Sequence, residues 1–333
     1  MTIPDSERAR LLELLEHHWG YDAFLPSQES AIAPILAGRD TLVIMPTGGG
    51  KSLVYQLPAL ALPGTALVVS PLLALMKDQV DSLVRAGVPA AALNSTQTGA
   101  ERSRIEQDYA SGKLKLLYVS PEGLATERLL DTLRRGQVSF IAVDEAHCIS
   151  QWGHEYRADY RNLGTLRDRF PGAAIHGFTA TATPLVRDDI AQSLRMRDPM
   201  RVVGSFVRAN LTYRSVYRHD NLAQIREVIA RHEGEAGIVY TLRRKDVEEL
   251  CTSLTKAGVN AVPYHAGLDQ STRRTNQERF ASEDVDVVVA TVAFGVGIDR
   301  SNVRYVVHAG LPRSIEHYQQ EAGRAGRDGE PAA

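Results

Sequence analysis

The sequence predicts an α/β chain of two tandem lobes, each a mostly parallel sheet with helices on both faces. Three observations carry that prediction. Short β-branched runs alternate with helical stretches, the pattern of doubly wound layers. The runs are almost continuously apolar, as strands buried on both faces must be. The chain is 333 residues long, and hydrophobic cores stop growing near about 250–300 residues, so two cores are expected.

The predicted strands of the first lobe are Thr41–Met45, Ala66–Val69, Leu114–Val119, Phe140–Val143 and Ile175–Phe178. Those of the second are Gly237–Tyr240, Ala261–Tyr264, Val285–Ala290 and Tyr305–Val307. Segments between them read as helices, Arg102–Ala110 and Asp246–Ala257 among them. The boundary is placed in Arg197–Arg208, where Asp-Pro breaks the helical pattern. Residues 1–205 and 206–333 are therefore the two predicted domains.

Composition excludes more than it assigns. Hydrophobic residues make up 44% and charged residues 23%, which excludes wholesale disorder. No apolar run of about 18 residues exists to span a membrane. The charged start, MTIPDSERAR, lacks the apolar core of a signal peptide, so a cytoplasmic protein is expected. Cys148 and Cys251 form neither a disulfide framework nor a four-cysteine zinc site and read as reduced packing residues. The net charge is −2, from 38 basic and 40 acidic side chains. Residues 206–333 hold 17 of each sign, so neither lobe is basic overall, and a polyanion would have to bind a local patch.

MPTGGGKS (Met45–Ser52) follows the first apolar run and precedes a helix, the setting of a phosphate-binding loop. Thr47, Gly48, Gly49 and Gly50 would let backbone N–H groups wrap a polyphosphate at a helix N-terminus. Lys51 would reach the β- and γ-phosphates, and Ser52 would hold Mg²⁺. Met45 stands where the usual pattern has its first glycine. Phe140–His147 is an apolar strand ending in two carboxylates: Asp144 as Mg²⁺ ligand, Glu145 as general base toward the attacking water. Asp-Glu alone would read as a solvated turn; together with the phosphate loop it reads as a nucleotide hydrolysis site. Gln319–Gly329 (QQEAGRAGRDG) places Arg324 and Arg327 on one face if helical. Near a γ-phosphate such arginines are worth about 10³–10⁵ in rate; without the other motifs they would read as a basic surface patch.

In this order the motifs resemble the helicase core of the RecQ family, among superfamily-two DNA helicases. His18–Gln28 (HWGYDAFLPSQ) resembles the adenine motif, with Tyr21 stacking on the base and Gln28 reading its edge. Val68–Val80 and Tyr118–Glu122 resemble motifs Ia and Ib, and Phe178–Thr183 (FTATAT) resembles motif III. Val287–Pro312 resembles motif V, and Gln319–Gly329 motif VI. The most specific stretch is Ala146–Arg157, which resembles the family's aromatic-rich loop. The resemblance implies RecA-like lobes with ATP in the cleft between them and single-stranded DNA across both. It implies catalytic roles for Lys51, Asp144, Glu145, Gln320, Arg324 and Arg327, and places Asp299 at the nucleotide sugar. Trp152, Tyr156 and Arg157 would contact DNA, base stacking being worth about 1–3 kcal/mol per base. Thr179 and Thr181 would relay between ATP and DNA, and His147 would link the lobes.

The implied activity is that of a 3′–5′ DNA helicase motor, an ATP- and Mg²⁺-dependent ATPase acting in recombination and repair. Its partners would be single-stranded and forked DNA, with unidentified repair or replication proteins, no membrane, and a monomeric state. Nucleoid association follows if the source is bacterial. The family's arginine before the adenine-motif proline is Leu25 here, which predicts weaker adenine affinity through loss of a cation–π contact. The chain ends before any zinc-binding, winged-helix or HRDC module, as a truncated or minimal core would. Two alternatives are a DEAH-type RNA helicase and a nucleic-acid-binding module with a vestigial nucleotide site.

Overall fold

Residue alternation along each strand sorts the side chains of this protein onto two buried faces. The computed structural model describes residues 2–94, 96–152, 157–294 and 300–333, and divides the chain into two compact units, Met1–Phe206 and Val207–Ala333. The first unit contains β1 (Thr41–Ile44), β2 (Thr65–Val69), β3 (Ala90–Leu93), β4 (Leu116–Val119), β5 (Val138–Val143), β6 (Ala174–Thr179) and β7 (Met200–Val203). They form one sheet in the order β3-β4-β2-β5-β6-β1-β7, with every neighbouring pair parallel. Leu42 and Ile44 pack on one face with Leu67, Val69, Ile141 and Val143. Val43 packs on the other with Val68, Phe140, Ala142 and Phe178. Burial on both faces is why the strands read as unbroken apolar runs.

The second unit contains β8 (Ala236–Tyr240), β9 (Ala261–Tyr264), β10 (Val287–Ala290) and β11 (Val303–His308), ordered β11-β8-β10-β9 and again parallel throughout. Ile238, Tyr240, Val288 and Ala290 face one core, and Val239, Val287, Val289 and Tyr305 the other. Gly237 sits mid-strand because the Tyr305 ring lies across it: a Cβ there would come within 1.9 Å of the ring.

Parallel pairing requires crossovers, and helices supply them. The helix Gly99–Ala110 begins with a capping box between Thr98 and Glu101. Thr183 caps Pro184–Ser193, with proline in its first turn. Asp220, Asp269 and Ser314 cap the second unit's helices Asn221–Arg231, Gln270–Ala281 and Ile315–Ala322. Among the described residues, no helix is long and apolar enough to cross a membrane.

Two strands fall outside the sequence expectation. β3 is Ala-Ala-Ala-Leu and lacks the β-branched residues that mark its neighbours. β7 lies inside the stretch expected to be linker, where it pairs in register with β1, Thr41 opposite Met200. It is held there by Asp40, which accepts from the Ile175 amide at 2.9 Å and the Arg197 amide at 2.6 Å and pairs with Arg167. This buried pair ties together the N-terminal ends of β1, β6 and β7. The opposite edge of the sheet, beyond the C-terminal ends of β5, β6 and β1, gathers the loops that carry the predicted chemistry, the usual ligand edge of an open α/β sheet.

Candidate functional site

The loop after β1 owes its shape to two glycines. Gly48 (φ +81°) and Gly50 (φ +71°) are left-handed, and Gly50 opens the helix Lys51–Ala61. A helix N-terminus leaves its first N–H groups outside the helical ladder, which makes it a ready anion site. Lys51 Nζ bends back to donate to the carbonyls of Met45 at 3.0 Å and Pro46 at 3.2 Å, so its charge sits inside the loop. Gln28 is buried behind it: Oε1 accepts from the Leu25 amide at 2.8 Å, and Nε2 donates to the Gly50 carbonyl at 3.3 Å. The amide expected to read a base edge therefore also braces the phosphate loop. Tyr21 and Leu25 beside it are exposed.

β5 delivers the carboxylates. The Asp144 amide donates to Val69 of β2 at 2.9 Å, and the Asp144 carbonyl accepts from the Tyr160 hydroxyl at 3.0 Å. Glu145 is forced into the left-handed region (φ +46°), a strain of about 1–3 kcal/mol of the kind stored at functional sites. Its amide donates to Asp144 Oδ1 at 3.0 Å. Burial, and behind it the adjacent Glu145 charge, push the Asp144 carboxyl up to about 7, against the pull of Lys51, the Glu145 amide and His147. Among the described residues no group of three or more His, Cys, Asp or Glu could hold a metal ion. One crowded, buried carboxylate beside a phosphate loop nevertheless fits a cation such as Mg²⁺, which uses one or two carboxylates and takes its remaining oxygens from phosphate and water.

A chain of polar contacts runs on from Glu145. His147 is buried, its Nδ1 2.9 Å from Thr179 Oγ1 and 3.3 Å from Glu145 Oε2. The Thr179 hydroxyl spends its proton on the Thr181 carbonyl at 3.0 Å and accepts from the Thr181 amide at 3.3 Å. Nδ1 is therefore the donor toward Thr179. Thr179 and Thr181 are thus bonded to each other, and His147 lies against Thr179 and Glu145 of the first unit.

The segment after the carboxylates reaches the surface. Ser150 donates to Asp189 Oδ2 at 2.6 Å and accepts from the Trp152 amide at 3.2 Å, which anchors the loop to the helix Pro184–Ser193. Trp152 is 70% exposed, which excludes a core role for it. Arg157 Nη1 donates to the Pro71 carbonyl at 3.0 Å, tying the far end of the loop to the turn after β2. Tyr156 and Asp299, both predicted site residues, lie outside the described residues.

In the second unit the helix Ile315–Ala322 carries half-buried Gln320 and stops at Gly323. Arg324 and Arg327 therefore lie in the turns beyond it and not on a helical face, because Gly323 and Gly326 (φ +57°) break the pattern. Arg324 is buried against Tyr240, whose hydroxyl donates to the Phe294 carbonyl at 2.7 Å. His308 stacks on Tyr240 with ring centroids 5.8 Å apart, and its Nε2 lies 2.9 Å from Glu321 Oε2. Sequence reasoning missed this support, as it missed Ser150, Asp189 and Tyr160; their roles depend on partners far away in the chain.

Comparison with known proteins follows the same division. A DEAD/DEAH box helicase model matches residues 25–189, and a helicase conserved C-terminal domain model matches 220–329. The ATP-dependent DNA helicase RecQ of Pasteurella multocida is 49% identical across 96% of this chain and 51% of its own length. That of Bacillus subtilis is 46% identical across 96% and 54%. The chain thus spans about half the length of the curated relatives it matches. Among solved structures, Mycobacterium smegmatis helicase Lhr bound to single-stranded DNA and AMP-PNP matches with a TM-score of 0.70 at 23% identity, over 94% of this chain and 46% of that one. The DUF1998 helicase MrfA bound to DNA and AMPPNP matches with a TM-score of 0.78 at 21% identity, over 100% and 50%. At such identities these structures show the fold, tandem RecA-like lobes. The sequence relatives show more: identity of this order sustained along nearly the whole chain is consistent with the helicase core of a RecQ family protein.

Proposed function

We propose that this chain is the motor of a 3′–5′ DNA helicase, a DNA-dependent ATPase that couples Mg·ATP hydrolysis to movement on single-stranded DNA in recombination and repair. The observation that carries this reading is the Asp144–Glu145 pair, joined through His147 and Thr179 to the turn after β6 and through the Ser150–Asp189 bond to exposed Trp152. In this reading residues 1–205 bind ATP and 206–333 form the helicase C-terminal lobe.

Thr47, the three glycines and the helix N-terminus cradle the phosphates, and Lys51 transfers its charge from the Met45 and Pro46 carbonyls to them. Tyr21 stacks on the base, Gln28 holds the loop and reads the base edge, and Asp299 serves the sugar. Ser52 and Asp144 hold Mg²⁺, which supplies neutralisation of phosphate charge. Glu145 accepts a proton from the attacking water, and His147, whose Nδ1 lies 3.3 Å from Glu145 Oε2, stands beside it. Arg324 and Arg327, with Gln320, stabilise the charge that develops during phosphoryl transfer. Trp152, Tyr156 and Arg157 engage DNA, and Thr179 and Thr181 report that engagement to the carboxylates.

The test is the steady-state ATPase rate without nucleic acid and with single-stranded DNA, duplex DNA and RNA. A large rise with single-stranded DNA, smaller with RNA and abolished in Arg327→Ala, is the expected result. A preference for RNA would favour an RNA helicase, and a flat background rate would mean a binding module.

A further inference from the structure

The helix Ile315–Ala322 passes into the turn that carries Arg324 and Arg327 through short bonds, the Arg324 amide donating to the Glu321 carbonyl and the Ala325 amide to the Ala322 carbonyl, both at 3.2 Å, and the carbonyls of the turn itself lack a regular ladder. One guanidinium supplies the lack. Arg208 Nη1 donates to the Gly323 carbonyl at 3.5 Å, and Nη2 donates to those of Ala325 at 3.1 Å and Gly326 at 2.7 Å. Asn210 Nδ2 adds bonds to the carbonyls of Gly326 and Glu330, both at 2.9 Å. Gly326 is fitted to this grip, since a Cβ there would lie 2.5 Å from Asn210 Nδ2. The backbone closes the same unit: the Ala332 amide donates to the Asn210 carbonyl at 2.9 Å, and the Thr212 amide to the Ala332 carbonyl at 2.8 Å.

We propose that Arg208 and Asn210 are positioning residues that clamp the arginine-bearing turn and so preset where the Arg324 and Arg327 guanidinium groups stand. This deepens the motor reading above and rests on it. Three carbonyls from one short turn converge on Arg208 in a single backbone conformation, so the side chain selects that conformation. A planar guanidinium has the fork of donors this requires; a lysine ammonium is a compact point charge with three donors and cannot span the same three acceptors. Neither residue needs to touch nucleotide. Their effect reaches the reaction through the arginines, where a misplacement of about 1 Å costs on the order of 10²-fold in rate.

The test compares Arg208→Lys, Asn210→Ala, Arg327→Ala and the Arg208→Lys/Arg327→Ala double variant. It reads kcat and KM for ATP in the DNA-stimulated ATPase, together with thermal unfolding. Arg208→Lys should lower kcat by roughly 10–100-fold while KM for ATP and the unfolding midpoint barely move. The double variant should lose less than the product of the two single losses, because the clamp acts only through the turn and Arg327 is one of the two groups it places. An unchanged kcat in Arg208→Lys overturns the proposal, as do losses that multiply in the double variant. So does a lowered midpoint with kcat per folded molecule intact, which is the signature of a merely structural role. If Arg208→Lys does not fold, Asn210→Ala carries the same comparison, since it leaves the charge in place and removes two bonds. A parent chain without DNA-stimulated ATPase would instead defeat the motor reading beneath the proposal.

Discussion

Gly50→Ala should damage the phosphate loop by an amount that can be worked out and then dissected. Gly50 stands at φ +71°, where an alanine pays about 1–2 kcal/mol for the left-handed backbone. It also has a neighbour: the new Cβ would lie 2.2 Å from Gln28 Nε2. The end of a glutamine usually swings aside at little cost, but this one is 1% exposed and pinned at its other end by the Leu25 amide. Moving it sacrifices the bond to the Gly50 carbonyl, about 0.5–1.5 kcal/mol, and forces a strained rotamer, about 0.5–1.5 kcal/mol. The sum is about 2–5 kcal/mol, paid as lost stability of the first unit or as a loop that no longer accepts phosphate, a loss of at least roughly 30-fold in nucleotide affinity. Gly112 provides the control, with φ +71° and nothing within 4 Å of its added Cβ, so Gly112→Ala isolates the backbone cost. Denaturant unfolding and titration with a fluorescent nucleotide would be run on both variants and on Gly50→Ala combined with Gln28→Ala. The double variant should recover part of the loss. Should Gly50→Ala cost no more than Gly112→Ala, the Gln28 amide is not a fixed brace and the argument fails.

Three further outcomes are expected. Glu145→Gln should still bind ATP yet hydrolyse it at least about 10²-fold more slowly, as loss of a general base implies; normal turnover would remove Glu145 from that role. Trp152→Ala should keep ATP affinity and the unfolding midpoint, because the ring is 70% exposed, while losing DNA stimulation of the ATPase; intact stimulation would show that the ring senses nothing. His176 is fully buried with neither ring nitrogen bonded, and burial pushes it down to about 3. Below about pH 6.5 the unfolded chain takes up a proton that the folded chain refuses, so stability falls as pH falls, by about 1.4 kcal/mol per pH unit. His176→Leu should therefore lose about 2 kcal/mol less than the parent between pH 7 and pH 5 in urea unfolding, and equal losses would rule out His176 as the acid-labile group.

What was legible in the sequence and what was not divides along one physical line. The phosphate loop and the Asp144–Glu145 pair declare themselves because backbone conformation and side-chain chemistry are fixed within a few neighbouring residues: glycines that allow positive φ, then a lysine, then a helix start. The doubly buried strands declare themselves for the same reason, whereas β3 does not, since three alanines carry no β signature. Everything that depends on a distant partner was silent. Gln28 reads only as a base-recognising amide, its second bond to the Gly50 carbonyl being invisible in the sequence, and β7 reads as linker until Asp40 is seen holding its entry. Arg324 and Arg327 read as a helical pair because their spacing suits a helix. Gly323 before them and Gly326 between them oppose a helix, but nothing nearby says what replaces it. The answer lies 115 to 118 residues earlier, at Arg208. A turn that satisfies its own carbonyls would need no such partner and could drift. One whose carbonyls are satisfied from a remote strap is held in a single shape, which is what the role proposed for the two arginines at a transferring phosphate requires.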